Sequence, residues 1–183
     1  TETTRELAVH AEDAGQVLKT FGIYDNMVGG VLDVAAVIND AQAGPPVGGR
    51  AMVEDFHVVD APTLAPLVSI LALTGLLESL QGKGLSFIQL NAPFEFRDGV
   101  LSIADARAYG LSLGVTASGT YYRGAEVINL EGTVVPAYAI NSVAGRIPVL
   151  GDLLTGGEEG GGVFAANYTA TGPVESPDIS VNP

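Results

Sequence analysis

The chain has 183 residues, of which 47 % are apolar, 16 % are charged and 24 are glycine, a composition that supplies a buried core and many turns and excludes a disordered chain. Eight basic residues stand against 21 acidic ones, and the formal charge of −13 repels phosphate backbones, which argues against nucleic acid as a partner and against a polybasic mode of membrane attachment. Cysteine is absent, which removes disulfides, thiolate zinc sites and cysteine nucleophiles.

Arg5 to His10 alternates as a strand. Glu12 and Asp13 then open a short amphipathic helix that carries Val17, Leu18 and Phe21 and stops at Gly22. Val28 to Asn39 and Gly49 to Val59 read as strands separated by the chain breaker Gly44, Pro45, Pro46. A longer helix is expected from Asp60 and Pro62, with Leu64, Leu67, Val68, Leu71, Leu76, Leu77 and Leu80 on one face. Its uncharged stretch, Ala61 to Leu77, is shorter than the roughly 20 residues a bilayer needs and contains Pro66 and Gly75, so it reads as a buried or groove-closing helix.

Gly84 to Arg97 and Val100 to Ala108 are expected strands around an Asp98-Gly99 hairpin turn. The clearest alternation follows, with Leu111, Leu113, Val115 and Ala117 set against Ser112, Gly114, Thr116 and Ser118. Glu126 to Val135 continues the series, Tyr138 to Val143 reads as an apolar helical turn, and Gly162 to Thr171 is a further alternating strand. The expected fold is mainly β with a few apolar helices (α+β), a large curved antiparallel sheet forming a groove, β-taco-like, with helices capping it. Gly30 to Ala35 is echoed by Gly99 to Ala104, each read as opening a strand after a turn, a pattern that favours stacking into an extended structure.

Catalytic signatures are missing. His10 and His57 lie far apart on expected strands without a His-x-x-x-His or His-Glu motif, and read as hydrogen-bonded strand residues. Neither Gly-x-Ser-x-Gly nor Ser-x-x-Lys occurs, and an enzyme would show a pocket of convergent polar groups, for instance around Asp55, His57 and Arg97. Glu158 and Glu159, inside the glycines from Gly156 to Gly162, lack the carboxylate spacing of a calcium loop and read as a solvated turn. The chain is therefore expected to be no enzyme and to need no metal or cofactor. Asn167, Tyr168, Thr169 matches a glycosylation sequon but falls inside an expected strand.

The apolar side chains carry more information. Leu32, Val34, Phe87, Phe94, Phe96, Leu111, Leu113 and Val115 are the candidate residues of one apolar sheet face. Two readings of that face remain open at this level: a closed core, or a concave surface that holds acyl chains, which need no hydrogen-bond partners and gain about 25 cal/mol per Å² removed from water. Under the second, Leu113→Asp should leave the chain folded and block lipid passage, and under the first it should unfold it.

The last third is punctuated in a fixed order: Val135-Pro136, then Ile147, Pro148, Val149, Leu150, Gly151, Asp152, Leu153, Leu154, the glycines to Gly162, and finally Gly172-Pro173, Pro177 and Val181-Asn182-Pro183. Upstream, Gly29 to Leu32, Gly49 to Phe56 and the apolar run from Leu64 add to it. This pattern resembles the C-terminal region of the AsmA-like (AsmA/YhdP/TamB-type) envelope lipid-transport proteins. The resemblance implies that residues 1–183 form a single C-terminal section of a larger protein of the Gram-negative cell envelope. Its location would be the periplasm, with the parent anchored in the inner membrane. Its role would be to carry phospholipid between inner and outer membranes and to support outer-membrane integrity. Its partners would be phospholipid acyl chains and inner- or outer-membrane proteins. The family has no catalytic residues to transfer, and the competing class is a non-catalytic structural or adhesive β-domain with a closed core.

Overall fold

A computed structural model describes residues 4–41, 44–61, 83–136 and 165–182. Nine strands, β1 (Thr4–Ala11), β2 (Met27–Asn39), β3 (Val47–Val58), β4 (Leu85–Arg97), β5 (Val100–Gly110), β6 (Leu113–Tyr122), β7 (Val127–Pro136), β8 (Ala166–Pro173) and β9 (Asp178–Asn182), form one sheet. Each strand pairs antiparallel with its neighbour in sequence, so the sheet is an open meander whose edges are β1 and β9. The mainly β reading and the large curved antiparallel sheet hold. Asp60 and Ala61, where the longer helix is expected to begin, are not helical, and the remainder of that helix, like the turn over 138–143, lies outside the described residues. Among the described residues no helix is long and apolar enough to cross a membrane.

The helix α1 (Ala14–Thr20) joins β1 to β2. The Asp13 side chain caps it by accepting from the Gln16 amide at 2.9 Å, satisfying one of the donors that a helix start leaves free. At the other end Gly22 takes a positive φ of 61° and the Ile23 amide donates back to the Leu18 carbonyl at 2.8 Å. Val17 and Leu18 pack on the core as their spacing predicts. Phe21 does not: it is the C-cap and is 67 % exposed, because the helix ends one residue before it.

Bulges bend the sheet and change which residues share a face. Asp55 on β3 sits at φ 52° and Gly30 on β2 at φ 87°, so the alternation slips by one residue at the same level of adjacent strands. The β4–β5 ladder shifts between Phe87 and Gln89 and again between Asn91 and Phe94, and the β5–β6 ladder shifts around Asp105, at φ 55°. Gly30 is therefore an interior bend of β2 and not the residue that opens a strand after a turn, as its echo with Gly99 implied. Gly99 is such a residue: Asp98 and Gly99, at φ 50° and 80°, form the two-residue turn that pairs Arg97 with Val100.

Connections alternate between the two ends of the sheet, the three longest lying at one of them. Residues 12–26, 59–84, 111–112 and 137–165 join strands at one end of the sheet, and residues 40–46, 98–99, 123–126 and 174–177 at the other. The buried core lies toward the first end, where Met27, Phe56, Val58, Leu85, Phe87, Leu113, Val134 and Ala166 are all under 8 % exposed. Phe56 and Phe87 stack there with ring centroids 5.2 Å apart.

Candidate functional site

One face of the sheet is apolar over most of its width. Ala11, Leu32, Val53, Leu90, Ala108, Val115, Val134 and Ala166 are successive cross-strand partners, a row across eight strands with no polar side chain in it. A second row toward the tight turns runs Val47, Phe96, Leu101, Tyr121, Ile128. Its members are half-buried rather than buried. The apolar face thus grades from closed at the α1 end to half-open at the tight-turn end.

Seven of the eight candidate residues lie on this face, namely Leu32, Val34, Phe87, Phe94, Phe96, Leu113 and Val115. Simple alternation would place Phe87 opposite Phe94 and Phe96. The slip beside Ile88, which is 42 % exposed on the other side, turns all three the same way. Leu111 stands apart: β6 begins at Leu113, and Leu111 sits in the turn after Gly110, 76 % exposed. Leu113 belongs to the closed end at 2 % exposure.

The opposite face carries the hydrogen-bonding groups. Over β6–β9 three cross-strand rows are polar throughout: Thr120, Asn129, Thr171, Asp178; Ser118, Glu131, Thr169, Ser180; and Thr116, Thr133, Asn167, Asn182. No lysine, arginine or aliphatic side chain interrupts them. Here the β6–β7 ladder is locally rewired. The Thr133 amide donates to the Thr116 hydroxyl at 2.9 Å instead of to a backbone carbonyl, and the Thr116 carbonyl accepts from the Tyr168 hydroxyl at 2.8 Å. Gly132 makes room for this, since a Cβ there would run into the Thr116 carbonyl and the Tyr168 hydroxyl. The Thr133 hydroxyl donates to Asn167 Oδ1 at 2.9 Å, and the Ser118 hydroxyl accepts the Asp105 amide at 2.9 Å. An open depression of about 450 Å³ results, with Ser118, Glu131, Thr133, Asn167, Thr169, Ser180 and Asn182 on its walls. Burial pushes the Tyr168 phenol up to about 12, and that of the half-buried Tyr24 likewise.

Each histidine has one neutral or acidic partner. His10 Nδ1 lies 2.8 Å from Asp33 Oδ1 on the adjacent strand, and this hydrogen bond raises its pKa from the ordinary value. His57 Nε2 lies 2.9 Å from the Ser86 hydroxyl. Asp55, His57 and Arg97 are not brought together, because His57 pairs at the Ser86 end of β4 and Arg97 is the last residue of that strand. Among the described residues no cluster of histidine and carboxylate ligands suits a metal ion. No family model, curated protein or solved structure matches this chain.

Sequence reasoning passed over the polar face and the strand that completes it. β9 was legible in Asp178 to Asn182, where Ile179 and Val181 alternate with Ser180 and Asn182 after Pro177. The concentration of Thr, Ser and Asn on one face becomes visible only once the register of four strands is known.

Proposed function

We propose that this chain is a section of a bridge-like periplasmic protein whose apolar groove carries phospholipid between inner and outer membranes and supports outer-membrane integrity, with the parent anchored in the inner membrane. The observation that carries the reading is the apolar face, which has one row free of polar side chains across eight strands and a second, half-buried row from Val47 to Ile128 across the five central strands. The AsmA-like pattern of the last third supports it independently. Acyl chains lying against Val47, Phe96, Leu101 and Ile128 would break few specific interactions as they move, because hydrocarbon contacts are non-directional. Headgroups would remain in water beyond the strand ends.

A closed structural β-domain is the second reading, and the near-complete burial of Leu85, Leu113 and Val134 favours it at the α1 end. Native mass spectrometry with lipid extraction, on protein purified without detergent from an envelope-containing lysate, separates the two. Co-purifying phospholipid that is lost in Phe96→Asp is the expected result. A lipid-free, fully stable monomer would overturn the transport reading.

A further inference from the structure

We propose that the polar face of β6–β9 binds a neutral oligosaccharide. This face is opposite the apolar one, and the inference does not depend on lipid carriage.

The argument starts from side-chain type. A merely solvated sheet face, especially beside an edge strand such as β9, is ordinarily studded with long charged residues that keep other strands away. Here the three rows from Thr116 to Thr120 hold only Thr, Ser, Asn and two carboxylates, Glu131 and Asp178, and the row beyond them is Tyr122, Val127, Pro173. Short side chains lose little rotamer freedom on binding, and the sheet fixes their positions in advance. Hydroxyl and amide groups can both donate and accept, as sugar hydroxyls and N-acetyl groups require.

Spacing agrees with the chemistry. Cross-strand neighbours repeat at about 4.8 Å, close to the length of one pyranose unit in an extended glycan. The depression holds about 450 Å³, within the range of roughly 300–1,000 Å³ usual for ligand sites. Beside it the Thr133 amide is satisfied by the Thr116 hydroxyl and the Thr116 carbonyl by the Tyr168 hydroxyl. Thr169, Ser180 and Asn182 are exposed and make no side-chain hydrogen bond among the described residues, which leaves their polar groups free for a ligand. Tyr122 ends the same face two residues beyond Thr120 and is 44 % exposed, a flat ring against which the C–H face of a sugar can stack. β6–β9 present two carboxylates and no cation on this face, and the bordering Arg107, the cross-strand partner of Thr116, is already paired with Asp105, so an anionic polysaccharide would be repelled.

The test is amide chemical-shift titration of the isotopically labelled chain with N-acetylglucosamine tetramer, with cellotetraose and with a heparin tetrasaccharide. Expected are shifts at Thr169, Ser180 and Asn182 with at least one neutral tetramer and none there with heparin. A preference for the N-acetylated tetramer assigns recognition to the asparagines, and equal binding assigns it to the hydroxyls. Thr169→Val, Ser180→Val and Tyr122→Ala, all exposed and expected to fold, should each weaken binding roughly tenfold, equivalent to about 1.4 kcal/mol. Absence of shifts with both neutral tetramers at millimolar concentration overturns the proposal. So do shifts confined to the apolar face, equal binding of heparin, or affinities unchanged in the three variants.

Discussion

Tyr168 shows how a single hydroxyl can replace a rung of the sheet ladder. Its ring lies over Gly132 and its O–H satisfies the Thr116 carbonyl. Tyr168→Phe is expected to destabilise the protein by about 1–3 kcal/mol in urea titration, because the carbonyl is left without its partner in a half-buried place. The phenol also adds an alkaline weakness. Its folded pKa is raised above the unfolded value near 10, so its contribution is intact below that pH and is lost as pH climbs toward 12. Unfolding measured between pH 10 and 12 should fall by about 2–3 kcal/mol for each of Tyr24 and Tyr168 in the native protein. Tyr168→Phe should remove about half of that slope. His10 has the same sign at a lower pH. Its raised pKa gives a contribution that is whole below about 6.5 and disappears as pH rises through the folded value, and in an imidazole proton titration Asp33→Asn should lower its midpoint toward that of a free histidine.

At the level of strands, most of the structure was written in the alternation. Eight of the nine strands were placed within a few residues, and α1 was announced by Asp13 and closed by Gly22. What period-2 reading could not supply was the phase of each face. A one-residue slip moves every later side chain to the other side, and the slips at Gly30, Asp55 and Asp105 are set by backbone conformations that aspartate and glycine tolerate but do not announce, while the slip at Ile88 falls on a β-branched residue with no such signal. For the same reason Leu111, at the head of the cleanest alternating run, turned out to belong to a turn. Two glycines separate the contributions of strain and packing. Gly99→Ala should cost only the left-handed penalty, about 1–2 kcal/mol, since nothing lies within 4 Å of a Cβ there. Gly30→Ala should cost distinctly more in the same denaturation assay, because its Cβ would come within 2.8 Å of Phe56 and 2.9 Å of Val53 Cγ1.

For the molecule as a whole, the graded apolar face changes what a charge inserted into it would report. Leu113→Asp places a carboxylate at the closed end, where it finds no compensating partner, and is expected to unfold the chain by thermal melting, which assigns that position to packing. Phe96→Asp, at the half-open end, should keep a cooperative melt with a modest loss of stability while altering whatever the face holds. If the two variants behaved alike, the gradient from closed to half-open would have no energetic meaning.

The strand order carries a further consequence, for how the protein reaches this state. Since, among the described residues, every strand pairs only with the strands before and after it in the chain, none of these pairings has to wait for a distant segment, and loop-closure entropy is largest where residues 59–84 and 137–165 intervene. Folding can proceed as a zipper that starts within β4–β7, the longest run of strands joined by short turns, and spreads outward to both edges. The sheet then behaves as a chain of nearest-neighbour couplings, in which β1 and β9, each held by a single partner, open and close while the centre stays formed.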